Sequence, residues 1–340
     1  MRFIVILLAS VLLFSCAGEA DRFPSMQIVH TYSTLGNPVD FDISGNDLCV
    51  AEDIVGFGLY NLSTGALQYR IHEAEGIALQ GVRLVRFYAP FNVLIAYDTS
   101  ISTHHPFYTY RYNDTSGNYV YTSPPSSGYN YNVRDMLFET IAGNPNQFRT
   151  YYGCYRSGGN IVQMGLYTIS NQPAHNSQLQ ADVPNSIHGI TFHKNDFLLC
   201  AMGERGVAIV DKSTMNSISV YNTPGSARDT KSSGEIVYVA DRSAGLGLID
   251  ISDRVNPTQI GWGYSVEGNA ISLDIWGDFL AVGTTSGGLY LFGISDPVNP
   301  VLYHRIQSGD IGEINKVMFH DGHLFVASRS LGVVRISIKK

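Results

Sequence analysis

Two stretches of the chain are near-copies of each other, and their spacing constrains the fold more than any other feature. Residues 245–261 read GLGLIDISDRVNPTQIG, and residues 288–304 read GLYLFGISDPVNPVLYH. Each stretch joins an alternating apolar strand to a turn that contains Asp and Pro, and a second strand follows. The copies are about 43 residues apart, so a unit of that length is repeated.

Weaker copies of this unit occur along the rest of the chain, each with a short apolar strand ahead of it. The seven copies begin at or near Gly56, Pro106, Gln163, Gly206, Gly245, Gly288 and Gly332. Units of about 40–45 residues with four short strands are typical of a β-propeller. We therefore predict an all-β chain that folds as a seven-bladed β-propeller. A pair of β-sandwiches or a parallel β-helix would not show this period.

The two ends of the chain indicate how the ring closes. The last unit stops at Lys340 after three strands, whereas residues 23–33 (FPSMQIVHTYS) resemble the fourth strand of another unit. An unpaired strand edge is a liability, and pairing removes it. We therefore predict that the N-terminal strand closes the last blade, within a single propeller domain over residues 25–340 that follows a short linker at 17–24.

The N-terminus resembles a lipoprotein signal peptide. An apolar run of about twelve residues is too short to span a bilayer but suits a signal peptide, here residues 1–16. The run ends in LFSC, which resembles a lipobox with Cys16 as the lipidated residue, although Phe14 departs from the usual pattern. By resemblance to Gram-negative lipoproteins, Ala17 favours the outer membrane. Cleavage after Ala20 and simple secretion is the alternative, and both place the mature chain outside the cytoplasm.

Charge and cysteine content exclude several classes of function. The net charge of −7 argues against a nucleic-acid partner. The cysteines other than Cys16 are Cys49, Cys154 and Cys200, and no Cys/His spacing suggests zinc. Cys49 and Cys200 lie in apolar runs, which predicts buried core positions. We assign no cofactor and no metal.

The repeated phrases also resemble a known family. GVAIVDKS at 206–213 and the two stretches at 245–261 and 288–304 are similar to the LVIVD repeat. The resemblance implies an extracytoplasmic propeller of a kind found in bacterial and archaeal surface or periplasmic proteins. It names no reaction. The Asp residues of the repeat, such as Asp296, have a structural explanation, since an Asp side chain caps a turn.

Candidate functional residues lie where the copies disagree. In propellers, the loops between blades and those between the second and third strands share one face around a central channel. Mixed charge on that face suits a polar ligand such as a glycan or a peptide, although it is equally expected of a solvated loop surface with weak ion pairs. The charged candidates for ligand binding are Glu52, Asp53, Asp98, Arg156, His188, Arg205, Asp229, Asp241, Arg242 and Arg329.

Acidic residues on or before the first strands raise the question of catalysis. Asp40, Asp42, His188, Asp229 and Asp274 are the candidates for a site that converges in the channel. They occupy different positions along their strands, so convergence does not follow from the sequence. No nucleophile elbow, phosphate loop or metalloprotease motif is present. A carboxylate pair of the glycosidase type stays open, because loops can bring any two carboxylates together.

Tyrosine is concentrated in one part of the chain. The segment 107–132 holds seven of the 21 tyrosines in an alternating pattern. Alternation places one row in the sheet packing and the other outward. The outward row, including Tyr110 or Tyr112, is either ordinary sheet packing or an aromatic platform for a sugar or a protein partner.

These observations favour a non-catalytic binding or scaffold protein, and we assign no catalytic residue. We expect a monomer, held at the membrane through a lipid anchor alone, with a protein or glycan partner in the cell envelope. The alternative is an extracytoplasmic enzyme that acts on glycans or lactones at the mouth of the channel. A purely structural envelope component is a third reading.

Overall fold

A computed structural model describes most of the predicted propeller domain. The described residues are 23–74, 76–99, 107–113, 115–116, 118–123, 133–156, 159–168, 174–264 and 266–339. The predicted signal peptide, Cys16 and most of the linker lie outside them.

Seven four-stranded antiparallel sheets follow one another along the chain, and the strands of blades 1 to 6 pair in chain order. Blade 1 is β2 (Asp40–Ser44), β3 (Asp47–Ala51), β4 (Phe57–Asn61) and β5 (Leu67–Ile71). Blade 2 is β8 (Val82–Tyr88), β9 (Val93–Asp98), β10 (Phe107–Asn113) and β11 (Asn118–Ser123). Blade 3 is β12 (Met136–Thr140), β13 (Gln147–Arg156), β14 (Gly159–Thr168) and β15 (Ala174–Val183).

The second half of the chain repeats this plan with shorter links. Blade 4 is β16 (Gly189–His193), β17 (Phe197–Ala201), β18 (Val207–Asp211) and β19 (Ser217–Tyr221). Blade 5 is β20 (Asp229–Ser233), β21 (Ile236–Ala240), β22 (Leu246–Asp250) and β23 (Thr258–Trp262). Blade 6 is β24 (Ala270–Trp276), β25 (Phe279–Thr284), β26 (Leu289–Gly293) and β27 (Val301–Ile306). The predicted seven-bladed propeller is confirmed.

Blade 7 joins the two ends of the chain. Its strands are β28 (Ile314–His320), β29 (His323–Ser328), β30 (Gly332–Lys339) and, from the N-terminus, β1 (Ser25–Tyr32). β1 pairs antiparallel with β30, with Ser25 opposite Lys339 and Tyr32 opposite Val333. The Tyr32 ring is fully buried and its hydroxyl donates a hydrogen bond to the Leu62 carbonyl of blade 1. The predicted closure of the ring by the N-terminal strand is therefore confirmed.

The core consists of layers between neighbouring blades. Both faces of a blade are covered, so the middle strands carry nearly continuous apolar runs where a half-exposed sheet would alternate. Between blades 4 and 5, for example, Leu199 and Ile209 pack with Val237 and Ile249. Cys49, Cys154 and Cys200 are buried, and for Cys49 and Cys200 this confirms the prediction made from their apolar context.

The repeated motif builds the turn between the third and fourth strands. In blade 6, Asp296 accepts hydrogen bonds from the Val298 backbone N–H and the Asn299 side chain. In blade 5, Asp253 does the same for Val255 and Asn256. The motif is thus part of the blade architecture.

The first strands of the blades form the inner ring. Neighbouring first strands contact each other, as β2 does with β8 and β24 with β28. We call the face where the first strands begin the top face. The links into the first strands and the turns between second and third strands lie there.

The link into blade 2 on the top face is elaborated. The links into blades 1, 5 and 6 are equal in length, at residues 33–39, 222–228 and 263–269. The link into blade 2, residues 72–81, is longer and contains the small hairpin of β6 (Glu73–Ala74) and β7 (Ile77–Ala78). Helix is confined in the described part to a four-residue α1 (Ser308–Ile311) and a 3-10 turn at Ala89–Phe91. Among the described helices, none is long and apolar enough to cross a membrane.

Candidate functional site

The inner ring surrounds a central cavity of about 420 Å³ that is lined mainly by first-strand residues. Six cationic side chains and five carboxylates face it. The cations are Arg83, Arg86, Arg134, Arg228, Lys231 and Lys316, and the carboxylates are Asp40, Asp42, Asp135, Asp229 and Asp274. The first strands and the residues just before them thus bring eleven charged side chains to one cavity.

Each cavity carboxylate ties its blade to the next one along the chain. Asp40 accepts a hydrogen bond from the Val85 N–H at 2.9 Å, and Asp229 accepts one from the Leu273 N–H at 3.0 Å. Asp42, Asp135 and Asp274 bond in the same way to Phe87, Ile190 and Phe319 of the following blades. A first strand has no sheet partner on its channel side, so its N–H groups there need another acceptor. The carboxylates supply it.

Ion pairs also connect neighbouring blades. Arg86 of blade 2 contacts Asp40 of blade 1 and Asp135 at the start of blade 3, each at 2.5 Å. Lys316 of blade 7 pairs with Asp40 at 2.8 Å. Lys231 of blade 5 lies 3.7 Å from Asp274 of blade 6. Asp40 is therefore the centre of a network that spans the closure of the ring.

Burial and neighbouring cations compete in setting the pKa of these carboxyls. Burial raises the pKa of Asp40, but Arg86, Lys316 and the Val85 N–H outweigh it, so the pKa lies below its usual value. At Asp42 and Asp229, burial prevails and the pKa is raised. Asp40 therefore stabilises the fold above about pH 3.9, and this stabilisation is lost as the pH falls through the lowered pKa. Asp42 and Asp229 act in the opposite direction, since protonating them relieves a cost of burial.

The top mouth of the cavity is cationic. Arg134 and Arg228 line it beside His188, and the Arg228 Nη1 lies 2.9 Å from the His188 Nδ1. Burial and the charges of Arg228, Arg134 and Arg242 lower the pKa of His188 to about 3. His188 is therefore neutral at physiological pH, and the positive charge of the mouth belongs to the arginines.

Three of the charged candidates are buried and hydrogen-bonded to the links between blades. Asp98 is the last residue of a second strand, and Glu52 and Asp241 directly follow one. All three are fully buried. Glu52 accepts hydrogen bonds from the Leu35 and Gly36 N–H groups and pairs with Arg70 at 2.8 Å. Asp98 accepts one from the Gly81 N–H at 3.3 Å, and Asp241 accepts one from the Gly225 N–H at 2.8 Å. All three hold the link that leads into their own blade, so the structure does not bring them to the cavity.

The remaining candidates lie at scattered places. On the top face, Asp53 pairs with Arg83 at 3.1 Å and Arg329 pairs with Glu313 at 3.1 Å. Arg205 and Arg242 are exposed there. Of the candidates for ligand binding whose side chains are described, His188 and Asp229 line the cavity and the others do not.

The tyrosine-rich segment is only partly described. Tyr110 is buried against Phe57 of blade 1, with ring centroids 5.2 Å apart, whereas Tyr112 is exposed. The outward row is thus represented by Tyr112. The side chain of Arg156 and residues 124–132 lie outside the described part of the chain.

The structure shows where the candidates for a converging metal or catalytic site lie. All five candidates line the cavity, namely Asp40, Asp42, His188, Asp229 and Asp274. Each of the four aspartates, however, accepts a hydrogen bond from a strand of the next blade. Within the described residues, no three His, Cys, Asp or Glu side chains are grouped so that they could hold a metal ion.

Sequence reasoning missed most of the cationic half of the cavity. Six charged residues that line the cavity were not among the candidates: Arg83, Arg86, Arg134, Lys231, Lys316 and Asp135. A usable signal was present. Polar residues recur on or just before the apolar first strands, and such a residue on an inner strand of a propeller faces the channel.

Comparison with known proteins supports the fold and the repeat. The model of the LVIVD repeat matches residues 224–262 and 267–307, which hold blades 5 and 6 and the two stretches first noticed in the sequence. No curated protein matches the sequence. The crystal structure of the computationally designed Ika8 protein is similar, with a TM-score of 0.61 at 11% identity over 91% of this chain and 98% of that chain. At this identity, the likeness shows the fold alone. The chain is a seven-bladed β-propeller in which blades 5 and 6 match the model of the LVIVD repeat.

Proposed function

We propose that this propeller is a non-catalytic binding protein that holds a protein partner on its top face. In this proposal it works outside the cytoplasm, with a lipid on Cys16 as its membrane anchor. The observation that carries the proposal is a group of exposed aliphatic side chains above blade 1.

The group, which we call the blade 1 patch, consists of Leu35, Ile54 and Ile77. Their exposed fractions are 75%, 69% and 37%. Large aliphatic side chains at such exposure cost free energy in water, and a cluster of them is typical of an interaction surface.

The three residues belong to segments that touch. The Leu35 N–H donates to Glu52 at 2.8 Å, which brings the link before blade 1 against the turn that contains Ile54. A side chain at Gly56, in the same turn, would meet the backbone of Ile71 and His72, where the elaborated link starts. Ile77 is on the hairpin of that link, so the elaboration adds a third exposed aliphatic residue to the top face of this part of the ring.

The patch adjoins the charged rim of the cavity. Asp53 precedes Ile54, and its backbone carbonyl accepts a hydrogen bond from the Val82 N–H at 3.1 Å. Its carboxylate pairs with Arg83, which lines the cavity. An apolar centre with a polar, charged rim is the usual anatomy of a protein–protein interface. A sugar platform would instead need a flat aromatic surface, and this patch is aliphatic.

The position of the anchor is consistent with this proposal. β1 begins at Ser25, opposite Lys339, on the face away from the blade 1 patch. A lipid on Cys16 would hold that opposite face towards the membrane, and the patch would point away from it. The alternative enzyme reading gains no support from the described carboxylates, since those of the cavity stitch the blades together.

A photocrosslinking amino acid placed at Ile54 tests the partner. We expect discrete crosslinked products in native cells, because a side chain at the centre of an interface touches one partner in a fixed geometry. Mass spectrometry would read them out. Val298, an exposed aliphatic residue in the turn of blade 6 on the opposite face, is the matched control.

The proposal predicts that the Ile54 products disappear when Leu35 is replaced with Asp. Crosslinks at Val298 should be absent or unaffected by that substitution. Equal product patterns at the two positions, or none at Ile54 while the protein is folded and exported, would contradict a partner at the blade 1 patch.

Lipidation has its own test. Cys16→Ala should move the protein from the membrane fraction to the soluble fraction, since removal of the lipidated residue removes the anchor. Labelling with a radioactive fatty acid should be lost in the same variant. Unchanged fractionation would show that Cys16 is not the anchor and would leave secretion as the alternative.

A further inference from the structure

We propose that the top mouth of the cavity binds the acidic group, a carboxylate or a phosphate, of a small polar ligand through Arg134 and Arg228 beside His188. This site is separate from the blade 1 patch. The inference rests on the proposed function in one respect: the top face is the binding face.

The first step is that the described part of the chain gives these arginines no partner of opposite charge. Among the described residues, Arg83, Arg86, Lys231 and Lys316 all pair with an aspartate. For Arg134, Arg228 and Arg242, the described part of the chain holds no such pair, and the Arg228 Nε is buried without a hydrogen-bond acceptor. A guanidinium that is partly buried without a counterion is costly unless a ligand neutralises it.

The second step is that the arginines repel each other. Burial and the charges of Arg242 and Arg134 lower the pKa of Arg228. His188 is kept neutral in the same field. An anion that entered the mouth would relieve this repulsion and would meet guanidinium groups suited to a forked contact with carboxylate or phosphate oxygens.

The third step concerns the size and polarity of the space. A volume of about 420 Å³ is sufficient for a small ligand such as a monosaccharide. The wall below the mouth carries charged and polar side chains, among them Asp229, Lys231 and Ser272, which can bond to hydroxyl groups. The chain as a whole has a net charge of −7, but the cations that line the cavity outnumber the carboxylates there. The cavity therefore attracts anions even though the whole protein is acidic.

Isothermal titration calorimetry of the soluble mature chain with glucuronate, glucose and inorganic phosphate tests the site. Glucuronate and glucose share a ring and differ in the carboxylate, so we expect glucuronate to bind at least tenfold more tightly. Arg134→Gln and Arg228→Gln should each weaken glucuronate binding about tenfold or more, because each removes charged hydrogen bonds. Phosphate binding without glucuronate binding would identify a phosphate ligand.

The control variant is Arg205→Gln, which removes an exposed arginine of the same face that does not line the cavity. It should change the affinity less than twofold. Arg134 is exposed, so its replacement should leave the melting temperature unchanged and keep the test valid if Arg228→Gln perturbs folding. Equal weakening by Arg205→Gln, or no binding of either anion, would overturn the anion site. The crosslinks at Ile54 test the partner at the blade 1 patch separately, so either proposal can fail without the other.

Discussion

Replacing Asp40 with alanine is expected to lower the free energy of unfolding by about 3–5 kcal/mol. Asp40 is buried, pairs with Arg86 at 2.5 Å and with Lys316 at 2.8 Å, and accepts the Val85 N–H. Alanine would leave two cations without part of their counter-charge and one strand N–H without an acceptor, next to the closure of the ring. Chemical denaturation at pH 7, followed by circular dichroism, measures the loss.

Two further variants separate the causes. Asp40→Asn keeps an acceptor for the Val85 N–H but removes the charge, so its cost should be smaller than that of alanine. Glu267→Ala removes an exposed pair with Arg305 and should cost no more than about 1 kcal/mol. If Asp40→Ala cost no more than Glu267→Ala, the cavity network would not be what holds neighbouring blades together.

A chain that starts after β1 is expected to lose cooperative folding. β1 supplies the outer strand of blade 7, and its Met26 and Tyr32 are buried in the core. Without this strand, the edge of β30 is open and the Tyr32 contacts with Tyr60 and Phe325 are absent. No strand of blade 7 would then continue through the chain into blade 1. Thermal unfolding of a chain that begins at residue 34 measures the effect.

The control begins at Phe23, which removes the signal peptide and linker but keeps β1. It should unfold in one transition at the same temperature as the full mature chain. A synthetic peptide of residues 23–33, added in excess to the shorter chain, should restore the transition by strand addition. A shorter chain that melted like the control without peptide would show that the closure is dispensable.

Much of the architecture is readable without coordinates, because a propeller encodes the same local pattern in every blade. The spacing of Gly245 and Gly288 predicts the period, and the missing fourth strand after Gly332 predicts the closure by β1. Each of these depends on the local alternation and turn chemistry of one unit and on the count of such units along the chain.

The candidate site was much less accessible to such reasoning. Glu52, Asp98 and Asp241 stand in charged loops by sequence, yet each is turned inward onto a backbone N–H of its own blade's link. Arg134 and Arg228 stand in segments between blades, and nothing near them in the sequence indicates that they share a site. That they share a cavity mouth depends on which blades the ring makes neighbours.

The sequence by itself determined the number of blades, the turn of each blade and the closing strand, since these follow from contacts between residues close in the chain or from the count of repeats. Only the tertiary structure decided which charges meet. Asp40, Arg86 and Asp135 come from three consecutive blades, and Lys316 reaches Asp40 from the far end of the chain. Ring closure sets those distances, and no local pattern encodes them.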